Sequence, residues 1–214
     1  MNWSEITDNP VDAEVHQKIL KYLKSIRHCS NEIKKEWIIK QVKDKKVLDI
    51  GMAEHDLTHM NSPKWKHKYI KENAKYCLGL DILESLVIEL NKRGFDVIHM
   101  DATSDEYIGE KFDIINIGDV IEHVNDPIKL MLFAKRHLSK GGKIIVSTPN
   151  PYFYPYIYRC IKETTFIANF EHNFWITPSM ALEISRRSNL KFNSYLFFNS
   201  QNKNTAHLAS VYVQ

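Results

Sequence analysis

Aspartate side chains recur at the ends of short apolar segments, and carboxylates at such positions can bind a nucleoside. An acid just past the second strand of a parallel sheet is placed to accept hydrogen bonds from a ribose diol. An acid past the third strand can accept one from the amino group of adenine. A single aspartate there would more often cap a helix or turn, but four at successive strand ends favour a nucleoside site. They are Asp49, Asp81, Asp101 and Asp119.

These acids can lie together only if each follows a strand of one parallel sheet, and such strands alternate with helices along the chain. Residues 46–51 are apolar, rich in β-branched side chains and end at Gly51, which is typical of a strand buried on both faces of a parallel sheet. The alternation predicts an α/β fold, a doubly wound and mostly parallel seven-stranded sheet with helices on both faces and an antiparallel C-terminal strand pair at its edge. The predicted strands are 46–51, 76–82, 95–100, 112–117, 143–147, 191–199 and 206–213, and the predicted helices include 65–75, 83–93, 127–138 and 178–189.

The segment before the first predicted strand differs from the rest in composition. Residues 1–45 are basic and carry apolar side chains at helical spacing, so we expect a helical segment there. We interpret its lysines as a solvated helix face rather than a surface for an anionic partner. The remaining residues, 46–214, form the second predicted domain, with an acceptor or lid insert at about 149–177.

Composition excludes several classes of protein. The 214 residues are 43% hydrophobic with a formal net charge of +3, which is too small a charge to imply nucleic-acid binding. No apolar run reaches the roughly 20 residues of a membrane span, and without a signal-peptide core we expect a cytoplasmic location. The three cysteines are widely separated, which argues against a disulfide framework or a zinc knuckle.

Several motifs together resemble the class I S-adenosylmethionine (SAM)-dependent methyltransferases, in the branch of ubiquinone and sugar O-methyltransferases. The most specific are Asp-Val-Ile-Glu-His-Val at 119–124 and the Gly-Gly turn before the fifth strand. A dehydrogenase is disfavoured because no Gly-x-Gly-x-x-Gly follows the first strand. The matching segments are 47–51, 79–82, 100–102, 112–115, 118–124 and 138–142.

The resemblance implies SAM as the cofactor, with S-adenosylhomocysteine (SAH) as the product, and a set of residues that bind it. It places Asp49 and Gly51 at the methionine end and Asp81 at the ribose hydroxyls. The remaining implied cofactor residues are Met52, Ile82 beside the adenine, Asp101 and Ala102 at the adenine, and Gly118 and Asp119 near the sulfonium.

One departure from the family is the glycine loop. The family usually has Gly-x-Gly-x-Gly, whereas this chain has Gly-Met-Ala-Glu-His at 51–55. A side chain at His55 must therefore point away from the cofactor.

The residues after the fifth strand point to the acceptor. They are rich in aromatic side chains, most of which we expect in the core or in a lid, and end in His-x-x-Trp-x-x-Pro at 172–178. This segment looks like those of methyltransferases encoded with bacterial sugar, polysaccharide and lipid pathways. It favours a small-molecule acceptor, with O-methylation of a saccharide or glycolipid precursor preferred over N-methylation.

A hydroxyl acceptor must lose a proton, and histidine is the usual base near neutral pH. His172 is the first candidate because it lies in the acceptor segment, and His123 is the second because it follows the fourth strand. We expect no metal, since the spacing of His55, His59 and His67 is not a zinc signature.

Two other functions stay open. The incomplete glycine loop fits a catalytically inactive binding or regulatory module that keeps the fold. The basic N-terminus gives slight support to an RNA or protein methyltransferase, although no Asn-Pro-Pro-Tyr or Asp-Pro-Pro-Tyr motif follows the fourth strand. Cofactor binding separates the first alternative from the enzyme, and the sequence leaves the oligomeric state open.

Overall fold

The computed structural model describes residues 1–30, 32–53, 58, 60–164, 169–198 and 207–213. The predictions that concern Glu54, His55 and His59 lie outside the described residues, as do 165–168 of the predicted insert.

Eight strands form one sheet, in the order β1-β7-β8-β6-β5-β2-β3-β4. Strand β8 is antiparallel to both β6 and β7, and the other neighbouring strands are parallel. The predicted doubly wound fold and its antiparallel C-terminal pair are confirmed. The strands are β1 (Arg27–Ser30), β2 (Lys46–Ile50), β3 (Tyr76–Asp81), β4 (Val97–His99), β5 (Phe112–Gly118), β6 (Leu138–Pro149), β7 (Lys191–Phe198) and β8 (His207–Val213).

Seven α-helices flank the sheet in the described residues, and a short 3-10 helix precedes them at Trp3–Glu5. None of these helices combines the length and apolar character that crossing a bilayer requires. The helices are α1 (Ala13–Ser25), α2 (Lys34–Val42), α3 (Lys66–Asn73), α4 (Glu84–Lys92), α5 (Pro127–His137), α6 (Tyr154–Glu163) and α7 (Pro178–Arg187).

The central strands are apolar on both faces because helices cover both. Along β5, Ile114 packs with α2 and α3, whereas Ile115 and Ile117 pack into the larger core with α5 and α7. Successive side chains of a strand point to opposite faces, so a continuous apolar run is what a doubly covered strand needs.

The N-terminal segment is not wholly helical, and this corrects the prediction for residues 1–45. Strand β1 pairs in parallel with β7 and takes the sheet edge, so the sheet has eight strands and the C-terminal pair is not at its border. The sequence of β1, Arg-His-Cys-Ser, has no apolar alternation that would predict a strand. The segment is a strand because it pairs with β7, not because of local preference.

The same segment is held by contacts to the C-terminal half of the domain. The Tyr22 hydroxyl donates to the Phe192 carbonyl at 2.7 Å, and Trp3 Nε1 donates to Glu183 at 2.9 Å. Arg186 and Arg187 also donate to that carboxylate. Their hydrogen bonds, that of Arg186 above all, lower the pKa of Glu183 to about 2.

The sheet order places a crevice beside β2. Strand β2 pairs with β3 on one side and with β5 on the other, so the connections that leave β2 and β5 diverge. Ligands of open α/β sheets bind in such a crevice, outside the carboxyl ends of the strands.

Candidate functional site

A cavity of about 680 Å³ lies at the carboxyl ends of β2, β3 and β5. Its volume is in the usual range for a small-molecule site. The sequence-predicted residues that line it come from separate strand ends and from the insert. They are Gly51, Asp81, Ile82, Gly118, Asp119, His123 and His172.

At one wall, Asp81 ends β3 and is held by backbone amides. Its Oδ2 accepts from the Ala53 amide at 2.9 Å and its Oδ1 from the Leu83 amide at 3.1 Å. A carboxylate has about four acceptor positions, so this one can accept further bonds from hydroxyl groups. Ile82 is 61% exposed beside it and gives an apolar surface for a flat ring.

Gly51 allows β2 and the segment after β5 to approach each other closely. Its φ is +73°, and a Cβ added there would lie 2.0 Å from Val120 Cγ2. Its amide donates to the Leu80 carbonyl at 2.8 Å. A larger residue would therefore meet both backbone strain and a side-chain clash.

Two lysines converge on Asp119, which directly follows β5. Lys34 Nζ lies 2.8 Å and Lys66 Nζ 3.1 Å from Asp119 Oδ2. Lys66 also donates to the Gly118 carbonyl at 2.8 Å, and Lys34 to Ser147 Oγ at 3.2 Å. Burial lowers the pKa of Lys34, whereas the Asp119 carboxylate opposes that shift.

The sequence did not single out these two lysines. Lys34 belongs to the basic run interpreted as a solvated face, but its side chain is only 16% exposed, so that interpretation is wrong for this residue. Lys66 begins α3 after a long connection from β2, and no local pattern indicated that its side chain would reach the end of β5.

Asp49 and Met52 lie behind the cavity wall. Asp49 is 1% exposed, with His67 Nδ1 2.9 Å from its Oδ2 and Asn116 Nδ2 donating to its Oδ1 at 2.7 Å. Met52 is also buried, and its carbonyl accepts from Trp65 Nε1 at 2.8 Å. Neither residue is among those that line the cavity, and their cofactor role stays a prediction.

Asp101 and Ala102 are likewise not among the lining residues. Asp101 is exposed, and its Oδ1 accepts from both the amide and the hydroxyl of Thr103 at 2.7 Å. Ala102 packs in the core. Asp101 therefore fixes the turn after β4.

At the acceptor end, three side chains meet. The His123 and His172 rings are in edge contact, with centroids 4.7 Å apart, and Glu122 completes a group whose potential ligand atoms all lie within 4.8 Å of one another. The Asn173 amide donates to the Glu122 carbonyl at 2.8 Å, which joins the insert to the segment after β5. The sequence named the two histidines as alternative bases, and the structure brings them together.

The protonation of this group reflects its burial. Burial and, secondarily, the Asp119 carboxylate raise the pKa of Glu122 to about 7. Burial lowers the pKa of His172, whereas the Asp119 and Glu171 carboxylates oppose that shift, so burial favours the neutral imidazole. Neutral imidazole can accept a proton or bind a metal ion.

The aromatic insert is less enclosed than we expected from the sequence. Helix α6 buries none of its side chains. Tyr156 does contact both Phe153 and Trp175. The expectation of core positions is wrong for the exposed rings, which are Tyr152, Tyr154, Tyr158 and Phe170.

Comparison with known proteins gives a consistent result. Residues 20–207 match the family described as "Methyltransferase domain". The ubiquinone biosynthesis O-methyltransferase of Coxiella burnetii is 25% identical over 149 residues, which cover 63% of this chain and 57% of that protein. The protein of the same name from Pseudomonas entomophila is 27% identical over 132 residues, covering 58% and 53%. The chain thus spans little more than half the length of these curated relatives.

Solved structures share the fold. A SAM-dependent methyltransferase from Archaeoglobus fulgidus superposes with a TM-score of 0.61 at 18% identity, covering 93% of this chain and 99% of that one. The magnesium protoporphyrin IX methyltransferase of Synechocystis PCC 6803, solved with bound SAH, also gives 0.61, at 11% identity, covering 100% and 93%.

Proposed function

Because the chain belongs to the methyltransferase domain family, we propose that it transfers a methyl group from SAM to a hydroxyl group of a small molecule. The observation that supports this most is the convergence of Asp81, Asp119 and His172 on one cavity at the sheet's crevice. When bound, SAM supplies an electrophilic methyl group, so the chain's main task is to position it against the acceptor.

The residues present fit the two polar ends of this cofactor. Asp81 retains acceptor capacity for ribose hydroxyls beyond its two amide bonds. Lys34 and Lys66 bring two ammonium groups to one carboxylate, which leaves a local positive charge for the carboxylate of an amino-acid moiety.

The acceptor end supports O-methylation. The curated relatives are named for O-methylation in ubiquinone biosynthesis, and the sequence favours a saccharide or glycolipid precursor. In either case the acceptor hydroxyl must lose its proton. Two roles are chemically open to His172 in that step: it can accept the proton, or it can bind a cation that activates the hydroxyl.

The test is a titration of the purified protein with SAH, followed by transfer of a radiolabelled methyl group from SAM. We expect micromolar affinity, about −8 kcal/mol, and label in phenolic or sugar acceptors rather than in RNA or protein. Absence of SAH binding would favour the inactive module instead. Label found only in RNA or protein would favour that alternative.

A further inference from the structure

We propose that a second cavity, separate from the cofactor cavity, binds an organic phosphate, a small molecule that joins a phosphate monoester to a ring or a short apolar chain. The second cavity lies between α1, β1, β7, the residues after β6 and the start of α7. Its volume of about 570 Å³ is in the usual range for a small-molecule site. Binding there does not depend on the proposed methyl transfer and can be measured alone.

One wall of the second cavity is a face of the sheet edge. Arg27 and Cys29 of β1 pair with Tyr195 and Phe197 of β7, and residues paired in this way point to the same face of a sheet. All four line the cavity, whereas the alternate residues of both strands do not. Helix α1 lies over this face, and its lining residues are Leu20, Leu23 and Lys24.

Two cations border the cavity without a carboxylate partner. Among the described residues neither Lys24 nor Arg27 forms an ion pair. The Arg27 guanidinium lies 5.2 Å from the centroid of the Phe197 ring, a contact that holds it at the wall. Burial raises the pKa of Tyr195, whereas the Arg27 charge opposes that shift, so the guanidinium acts close to the Tyr195 hydroxyl. Two cations match a phosphate monoester, whose charge at pH 7 is about −1.5 to −2.

Two buried hydrogen-bond donors of the lining point to the same chemistry. Asn150 is 6% exposed and Tyr195 is 5% exposed. Asn150 Oδ1 accepts from the Tyr152 amide at 3.0 Å, but its NH₂ group and the Tyr195 hydroxyl have no acceptor in the described part of the chain. Buried polar groups are normally hydrogen-bonded, so both donors are suited to the oxygens of a phosphate.

The rest of the lining favours an organic phosphate over inorganic phosphate. Leu20, Leu23 and Pro178 give an apolar surface, and the rings of Tyr152 and Phe197 lie at the same cavity. Aromatic side chains stack on flat rings and cover apolar chains. The cations and donors therefore account for the phosphate, and these side chains for the group attached to it.

The second cavity adjoins the cofactor cavity along the chain. Asn150 lines the second cavity, and the residue before it, Pro149, lines the cofactor cavity. The insert links the two again, since His172 lines the cofactor cavity and Pro178 the second one. The organic phosphate is thus either the remote end of the acceptor or a separate small molecule, and the same chemistry recognises both.

The experiment titrates the full chain with phenyl phosphate by calorimetry, with benzyl alcohol as the uncharged analogue. We expect one phenyl phosphate per chain with a dissociation constant below about 1 mM, and no binding of benzyl alcohol. Lys24→Gln and Arg27→Gln should each weaken binding about 10-fold or more, since each removes a charge-assisted hydrogen bond. The matched control, Lys18→Gln, changes an exposed lysine of α1 that pairs with Glu14 and should leave the affinity unchanged.

Cysteine labelling locates the bound molecule. Cys29 lines the second cavity, Cys160 lies on α6, and both are exposed. Phenyl phosphate at ten times its dissociation constant should slow the reaction of Cys29 with N-ethylmaleimide about 10-fold by mass action. The reaction of Cys160 in the same sample should keep its rate.

Methyl-transfer kinetics separate the two sources of the phosphate. If phenyl phosphate raises the KM of the acceptor, the phosphate belongs to the acceptor itself. If the KM stays the same while phenyl phosphate is bound, the phosphate belongs to a separate small molecule. Either result supports the second cavity as a site for an organic phosphate.

The proposal is overturned if phenyl phosphate does not bind, if benzyl alcohol binds equally well, if both substitutions leave the affinity unchanged, or if Cys29 is not protected. Lys24 and Arg27 are exposed, so both variants should fold, and urea unfolding checks this. SAH affinity is measured on the same wild-type protein. SAH binding without phenyl phosphate binding rejects the second cavity alone, whereas the reverse keeps that cavity and counts against the proposed methyl transfer.

Discussion

The conversion of Asp81 to asparagine is the sharpest test of the cofactor site. The change keeps the size of the side chain but replaces one carboxylate oxygen with an NH₂ group, which can only donate. Both oxygens already accept from backbone amides, those of Ala53 and Leu83. The NH₂ group must therefore oppose one of these donors, and only one oxygen remains for a ribose hydroxyl.

The size of the effect follows from the bonds lost. A hydrogen bond to a charged group contributes about 1.5–3 kcal/mol. Loss of one such bond to the ribose should raise the dissociation constant of SAH about 10- to 150-fold. Stability should also fall by about 1–3 kcal/mol, because an amide loses its acceptor.

Isothermal titration with SAH measures the affinity, and urea unfolding of the same samples measures the stability. Asp96→Asn is the control, because Asp96 is exposed and precedes β4, away from the carboxyl ends of the strands. We expect its SAH affinity to equal that of the wild type. An Asp81→Asn protein that is folded and binds SAH within threefold of the wild type would refute the assignment of Asp81 to the cofactor.

Three further outcomes are expected. In Gly94→Ala the new methyl group has open space and only the positive φ is unfavourable, so the free energy of unfolding should fall by about 1–2 kcal/mol. In Gly51→Ala the methyl group also clashes with Val120, so urea unfolding should show a loss of about 2–5 kcal/mol. Equal losses in the two variants would contradict the clash. Glu183→Gln should lose about 1 kcal/mol at neutral pH, after allowance for solvent screening. Because the pKa of Glu183 falls from 4.5 to about 2 on folding, the difference from the wild type should shrink as the pH drops through that interval, and a constant difference would count against the ion pairs. Cys77 is buried, and burial raises the pKa of its thiol. A thiol reagent should therefore label the two exposed cysteines in the native protein and Cys77 only after denaturation. Labelling of all three cysteines in the native protein would show that the Cys77 side chain on β3 is accessible to solvent.

The sheet was predictable because its central strands carry their own signal. The apolar run of β3 ends in Asp81 and that of β5 is followed by Asp119, and parallel strands bring such ends to one edge. Asp81 and Asp119 could therefore be placed in one crevice from spacing alone. Strand β1 could not, because its polar residues pair with a strand that lies far along the chain.

The site was predictable only where a strand end fixes the side chain. Lys34 and Lys66 reach Asp119 from two different helices, and their direction depends on how those helices pack. Glu122 belongs to the motif at 119–124, but the sequence assigned it no role. Its burial beside two histidines depends on the tertiary structure. Asp49 shows the opposite case, because its carboxylate lies near a strand end but is buried against His67 and Asn116.

The edge strand β1 also sets an order of assembly. Its partner is β7, and the nearby bond from Trp3 to Glu183 joins residues 180 positions apart. During synthesis the N-terminal segment must wait for β7 to emerge from the ribosome, and contacts of such sequence separation form slowly. Lys34 lies in α2, which follows β1 directly but packs against α3 and the central strands, so its approach to Asp119 does not have to wait for β7.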